Sequence, residues 1–171
     1  VGERDIILGQ NIPGHPGAAS PMRWSGPKIG EDVASFTPRH AWGPDKGTST
    51  CPVCKYGWYH GVLFFVAKEA NWNDIKAWLA FFERESVARD NRLKVYFVYA
   101  DPSGYSAAAR ERELEALGRE LGLEHVALTF VPSVTDEASE VALNRISPDV
   151  WSTMILYKRS RVISTMLDAK P

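Results

Sequence analysis

The only two cysteines of the chain lie close together, as Cys51-Pro52-Val53-Cys54. Two intervening residues bring both thiols within reach of a disulfide, so that one sulfur can attack a substrate and the other can resolve the mixed disulfide. We therefore predict that Cys51 and Cys54 form a redox-active pair that exchanges with protein or small-molecule thiols. Such exchange needs no organic cofactor.

The same residues allow two other interpretations. A disulfide between Cys51 and Cys54 could be purely structural, holding its loop against the edge of the sheet. Alternatively, Cys51, Cys54 and His60 supply three ligands of the kind that copper or zinc prefers, and His40 could be a fourth. Both alternatives would leave the protein without catalytic activity.

The hydrophobic pattern after the cysteines predicts alternating strands and helices. Continuous apolar runs indicate strands that are buried on both faces. Asn71 and Ser106 are suited to begin helices, and Gly122 is suited to end the second one. Two further apolar runs flank the polar residues 158–161 and predict an antiparallel hairpin. The predicted strands cover residues 62–66, 93–100, 126–131, 153–157 and 162–166, and a short helix is predicted over 137–144.

Composition limits the possible partners. With 171 residues, of which 44% are hydrophobic, the chain is long enough for one domain with a full core. The net charge is −1 and lysine and arginine form no cluster, so we expect no nucleic-acid partner. No apolar run approaches the roughly 18 residues of a membrane span. The chain begins at Val1 without a signal-peptide pattern, and we expect an exported bacterial protein, periplasmic or extracellular, whose leader has been removed.

The chain divides into two parts. Residues 1–28 are rich in glycine and proline and predict an extended or flexible N-terminal arm. Residues 29–171 contain all the periodic segments and predict a single domain.

Five short phrases of this domain resemble, in the same order, those of the thioredoxin-like superfamily. They lie at residues 29–36, 95–103, 122–123, 136–146 and 151–162. The resemblance is nearest to the peroxiredoxin and secreted thiol-disulfide oxidoreductase branch. It implies a thioredoxin-like three-layer α/β/α sandwich, with a mixed sheet that ends in an antiparallel hairpin. It also implies that Cys51 attacks, that Cys54 resolves, and that Ser152 stands where the family has a substrate-binding cis-proline.

The cysteines depart from the family's pattern in their position. In that family the reactive cysteine follows the first core strand, at the beginning of a helix, where the helix dipole lowers its pKa. Here the corresponding residues 67–73 contain no cysteine, and the pair precedes the strand. The resemblance therefore allows two functions: a thiol-disulfide oxidoreductase, or a non-catalytic thioredoxin-like binding module whose cysteines form a structural disulfide or a copper or zinc site.

Overall fold

The computed structural model describes residues 23–171, which form a six-stranded sheet and three α-helices. Residues 1–22, which make up most of the predicted N-terminal arm, lie outside the described part. The elements in chain order are β1 (Arg39–Trp42), α1 (Pro52–Tyr56), β2 (His60–Val66), α2 (Trp72–Ala88), β3 (Leu93–Tyr99), α3 (Ala107–Leu121), β4 (Ala127–Phe130), a short 3₁₀ helix (Val141–Asn144), β5 (Ser152–Lys158) and β6 (Arg161–Leu167).

The sheet is mixed, with strand order β1-β4-β3-β2-β5-β6. Strands β2, β3 and β4 are parallel, whereas β5 pairs antiparallel with β2 and β6 antiparallel with β5. Strand β1 adds an antiparallel edge beside β4. The predicted mixed sheet with a terminal antiparallel hairpin is confirmed. β2 is apolar almost throughout because it lies at the centre, with both faces covered.

Helices cover the sheet on both faces. Ile75 and Leu79 of α2 and Leu114 of α3 are fully buried in the core cluster of one face. Val53 of α1 is buried in the cluster of the other face. These layers form the predicted three-layer α/β/α sandwich.

The residues that were predicted to begin or end helices do so in the structure. Asn71 Oδ1 accepts a hydrogen bond from the Asp74 N–H (3.2 Å), and Ser106 Oγ accepts one from the Ala109 N–H (3.4 Å). Gly122 ends α3 in the left-handed conformation, with φ of 63°. The helix predicted over 137–144 is a shorter 3₁₀ helix, Val141–Asn144.

The two ends of the sheet hold different parts of the chain. We call the end where the parallel strands begin the amino end, and the end where they stop the carboxyl end. Lys158, beside the hairpin turn, pairs with His60 at the amino end, and Ser152 pairs with Val66 at the carboxyl end. Residues 67–73 follow β2 and so also lie at the carboxyl end.

The first described residues pack on the domain. Ser25 is buried, and its hydroxyl lies 2.7 Å from that of Thr153. The Gly26 N–H donates to the Arg145 carbonyl (2.9 Å). The boundary between residues 28 and 29 stays a prediction. Among residues 23–171, no helix combines the length and hydrophobicity that crossing a membrane requires.

Candidate redox site

Cys51 and Cys54 form a disulfide across the first turn of α1, with their Cα atoms 5.3 Å apart. Cys51 is the N-cap of the helix, and its Sγ accepts a hydrogen bond from the Cys54 N–H (3.1 Å). Pro52 fits the next position because the first turn of a helix needs no N–H donor there. The local sequence therefore favours a helix that begins at one sulfur and carries the second one turn later.

The two sulfurs differ in their access to solvent. Cys54 is exposed, whereas Cys51 is only partly exposed and packs against the core cluster of its face. An incoming thiolate therefore has the freer approach to Cys54.

Helix α1 is held against the sheet by three contacts. Val53 is buried in the core beneath it, and the Tyr56 ring stacks on Tyr96 with centroids 6.5 Å apart. Gly57 follows the helix and lies so near the Val53 carbonyl and Ser160 Oγ that a Cβ would collide with both. Since Ser160 belongs to the β5–β6 turn, these contacts place α1 at the amino end of the sheet.

The lysine beside the disulfide is paired with a carboxylate. Lys55 Nζ lies 2.6 Å from Asp45 Oδ1, and this hydrogen bond raises the pKa of Lys55. A second cation, Lys94 Nζ, lies over the rings of Tyr56 (4.7 Å) and Tyr59 (4.9 Å), and burial lowers its pKa. The aromatic residues that follow Cys54 are thus held by a lysine from β3, a contact that no local sequence pattern could predict.

His40, suggested by the sequence as a fourth metal ligand, supports the loop before the disulfide. Its side chain is completely buried, and its Nε2 lies 2.8 Å from the carbonyl of Thr50, the residue before Cys51. The ring meets Tyr96 edge to face, and burial lowers the His40 pKa below its ordinary value.

Ser152, the predicted substrate-binding residue, lies far from the disulfide. It is buried at the carboxyl end, where its N–H donates to Asp168 Oδ1 (3.1 Å). The seven residues of β2 separate the two ends by roughly 20 Å at ~3.3 Å per residue. The structure thus does not bring Ser152 to the cysteines, and its role in substrate binding stays a prediction.

His60 of the predicted metal site is exposed at the start of β2, at the same end of the sheet as α1. Nowhere in residues 23–171 do three His, Cys, Asp or Glu side chains group in a way that could hold a metal ion. The disulfide sulfurs are not thiolates, so the reduced pair would have to supply the sulfur ligands for copper or zinc.

Comparisons with known proteins identify the fold. No family model matches the sequence, and no curated protein matches it. Among solved structures, the chain is similar to a putative thiol:disulfide interchange protein DsbE from Chlorobium tepidum, with TM-score 0.58 and 12% identity over 84% of this chain and 88% of that chain. It is similar to BsSco, of the Sco family of cytochrome c oxidase assembly proteins, with TM-score 0.58 and 13% identity over 86% and 91% of the two chains. It is also similar to a thiol peroxidase from Chromobacterium violaceum, with TM-score 0.53 and 15% identity over 83% and 77%. The fold is therefore thioredoxin-like, as the resemblance implied.

Proposed function

We propose that this protein is a thiol-disulfide oxidoreductase that exchanges its Cys51–Cys54 disulfide with the thiols of a protein substrate. The observation that carries the proposal is the exposure of Cys54 in a disulfide whose other sulfur caps a helix. A substrate thiolate can reach one sulfur, and the other accepts an N–H hydrogen bond that stabilises it as a leaving thiolate.

A structural role explains this disulfide less well. The cysteines are three positions apart, so the disulfide closes a loop of only four residues. The chain-entropy estimate for so short a loop is about 2 kcal/mol, near the lower end of the usual range. The bond would therefore add little to the unfolding free energy of the protein.

The exchange takes two steps. In the first, a substrate thiolate attacks Cys54 Sγ, a bond forms between the substrate sulfur and Cys54, and the Cys51–Cys54 bond breaks with its electron pair on Cys51. In the second, another substrate thiolate attacks the substrate sulfur of this mixed disulfide and releases Cys54 as a thiolate. The substrate dithiol loses two electrons and becomes a disulfide, the protein disulfide is reduced, and the two thiol protons pass to solvent or to the new thiolates.

The order of the cysteines in this proposal differs from the one that the resemblance implies. The resemblance assigns attack to Cys51, whereas solvent exposure supports Cys54 as the sulfur of the mixed disulfide. The two orders predict different trapped intermediates, so they can be separated by experiment.

An oxidising compartment suits this function. An exposed disulfide persists in the periplasm or outside the cell and is reduced in most cytosols. We include location outside the cytoplasm of a bacterium in the proposal.

Single cysteine variants test which sulfur reacts. In Cys51→Ser the remaining thiol is the exposed Cys54, and in Cys54→Ser it is the half-buried Cys51. We expect the Cys54 thiolate to form a mixed disulfide with an aryl disulfide reagent at least about tenfold faster than the Cys51 thiolate, because the reagent must reach the sulfur. Stopped-flow absorbance of the released aryl thiolate measures both rates as a function of pH, and the comparison uses the limiting rates at high pH, where both thiols are ionised.

Two results would count against the proposal. Faster reaction of the Cys51 thiol would reverse the order of the two sulfurs. If the wild-type disulfide fails to oxidise dithiothreitol, whichever thiol reacts faster, the oxidoreductase function is wrong and the pair is structural.

A further inference from the structure

Three neighbouring depressions at the amino end of the sheet share His60 as a lining residue. We call them together the amino-end groove. Trp58 and Tyr59 line one part of it, and Phe81 and Ile163 line another. The groove therefore extends from the segment after α1, past the start of β2, to helix α2 and strand β6.

Four exposed apolar side chains line this groove. Trp58, Tyr59, Phe81 and Ile163 are 80%, 42%, 40% and 49% exposed. They are half of the eight large hydrophobic residues that are exposed in residues 23–171. Single exposed apolar residues are ordinary, but several along one groove mark a contact surface.

Cations surround the aromatic part of the groove. Arg92 and Lys94 line it, and the Arg159 guanidinium lies 5.7 Å from the centre of the Trp58 ring. Among the ion pairs formed within the described part of the chain, none includes these three residues. Asp90 is the acidic residue of this part, so the local charge is positive.

Acidic charge in the apolar part is balanced by a neighbouring cation. Glu85 and Arg89 both line the groove there and form an ion pair with each other. The groove thus combines apolar contact area with an excess of positive charge, which complements a segment that carries apolar and acidic side chains.

The groove lies at the same end of the sheet as the redox site and is linked to α1 through Lys94. Trp58 follows the exposed Cys54 by four residues in the chain. Lys94 contacts the rings of both Tyr56 of α1 and Tyr59 of the groove. A substrate chain whose cysteine meets Cys54 would therefore reach the groove within a few extended residues.

We propose that the amino-end groove binds an extended segment of the protein substrate, with acidic side chains beside Arg92 and Lys94 and an apolar side chain between Phe81 and Ile163. This inference rests on the proposed redox function of Cys51 and Cys54, and it names the partner of that site. An extended polypeptide fits better than a small molecule, because small-molecule sites are enclosed and this groove is open along its length. The substrate then approaches the end of the sheet opposite to Ser152.

Peptide dithiols test this inference. One two-cysteine peptide carries aspartate and leucine around its cysteines, and its counterpart carries lysine in place of aspartate. The rate at which each peptide is oxidised by the wild-type disulfide is divided by the rate for dithiothreitol, which needs no groove. We expect the acidic peptide to be preferred by about tenfold at low salt and by less as the ionic strength rises.

Charge-reversal and polar variants, each with a matched control, test whether groove residues determine the peptide preference and the rates relative to dithiothreitol. Arg92→Glu should remove the preference for the acidic peptide, and Ile163→Ser should lower the relative rates of both peptides. The controls are Arg112→Glu on the exposed face of α3 and Leu143→Ser, whose side chain is 62% exposed away from the groove. Arg112→Glu should keep the wild-type preference, and Leu143→Ser should keep the wild-type relative rates of both peptides.

The outcomes separate the two proposals. If dithiothreitol is not oxidised, the redox function fails. If dithiothreitol and both peptides are oxidised with no preference, the groove inference is wrong and the redox function stands. The same conclusion follows if Arg112→Glu changes the preference as much as Arg92→Glu, or if Leu143→Ser lowers the relative rates as much as Ile163→Ser. If sedimentation shows a dimer that Ile163→Ser dissociates, the groove binds a second copy of this chain and the inference is also wrong.

Discussion

At the scale of single residues, the proposed chemistry depends on the different surroundings of two sulfurs. Cys54 faces solvent, and Cys51 packs against the core while its Sγ accepts the Cys54 N–H (3.1 Å). Lys55, the nearest cation in sequence, is paired with Asp45, which offsets its charge. The hydrogen bond at the helix N-cap is therefore the local feature that favours a thiolate at Cys51.

His40 makes the stability of the folded protein depend on pH. Burial lowers its folded-state pKa below the ordinary value of 6.5, so between these two values the unfolded chain binds a proton that the folded protein does not. The contribution of His40 to the unfolding free energy should hence be fully present well above pH 6.5 and fall as the pH drops below it, with a slope of up to about 1.4 kcal/mol per pH unit. Urea unfolding at a series of pH values measures it.

The variant His40→Gln tests the origin of this slope. It removes the titrating group and keeps a side chain that can still donate to the Thr50 carbonyl. We expect its unfolding free energy to change less between pH 6.5 and 5.5 than that of the wild type. An unchanged slope would mean that another group is responsible.

The sequence predicted the disulfide pair but not the environment of its two sulfurs. The spacing of Cys51 and Cys54 predicted the disulfide, which is confirmed. The exposure of each sulfur and the contact between His40 and Thr50 depend on how β1 and α1 pack on the sheet. Such tertiary contacts leave no periodic signal in the chain.

At the scale of elements, α1 is a short helix that depends on its disulfide and on the sheet beneath it. Five residues are too few for a stable helix in isolation. The disulfide fixes the first turn, Val53 is buried below, and Gly57 fits closely against Ser160 of the hairpin turn. The helix should therefore be the element most affected by the redox state.

Reduction of the disulfide should lower the unfolding free energy by about 2 kcal/mol, as expected for a loop of four residues. Guanidinium unfolding of the oxidised protein, with and without dithiothreitol, measures the difference. The double variant Cys51→Ser/Cys54→Ser is the control, since dithiothreitol should not change its stability. A loss of 5 kcal/mol or more, roughly the upper limit for structural disulfides, would instead indicate that the fold depends on the bond.

The elements after residue 60 could be predicted from the sequence, whereas β1 and α1, which precede it, could not. β2, β3, α2 and α3 have continuous or periodic apolar patterns and clear caps. β1 has only four residues, Arg-His-Ala-Trp, and its two buried residues, His40 and Ala41, are adjacent in the chain and so do not follow a strand alternation. It forms because it pairs with β4 and because Trp42 Nε1 donates to the Leu123 carbonyl (2.8 Å).

At the scale of the whole molecule, the order of strands and helices predicted the thioredoxin-like fold. The cysteines precede β2 in the chain, and they therefore lie at the amino end of the sheet. The carboxyl end, where residues 67–73 and Ser152 lie, contains no cysteine among the described residues. The disulfide, the hairpin turn and the amino-end groove all lie at the other end. The proposed redox chemistry and the proposed substrate segment therefore share one surface.

The reduction potential of the Cys51–Cys54 pair tests the central claim most directly. The protein is equilibrated with glutathione buffers of defined ratio, the reaction is quenched with acid, and the free thiols are counted. A redox-active pair predicts a potential between about −270 and −120 mV, the range of known exchange proteins. A potential below about −300 mV would mark a structural disulfide and contradict the account.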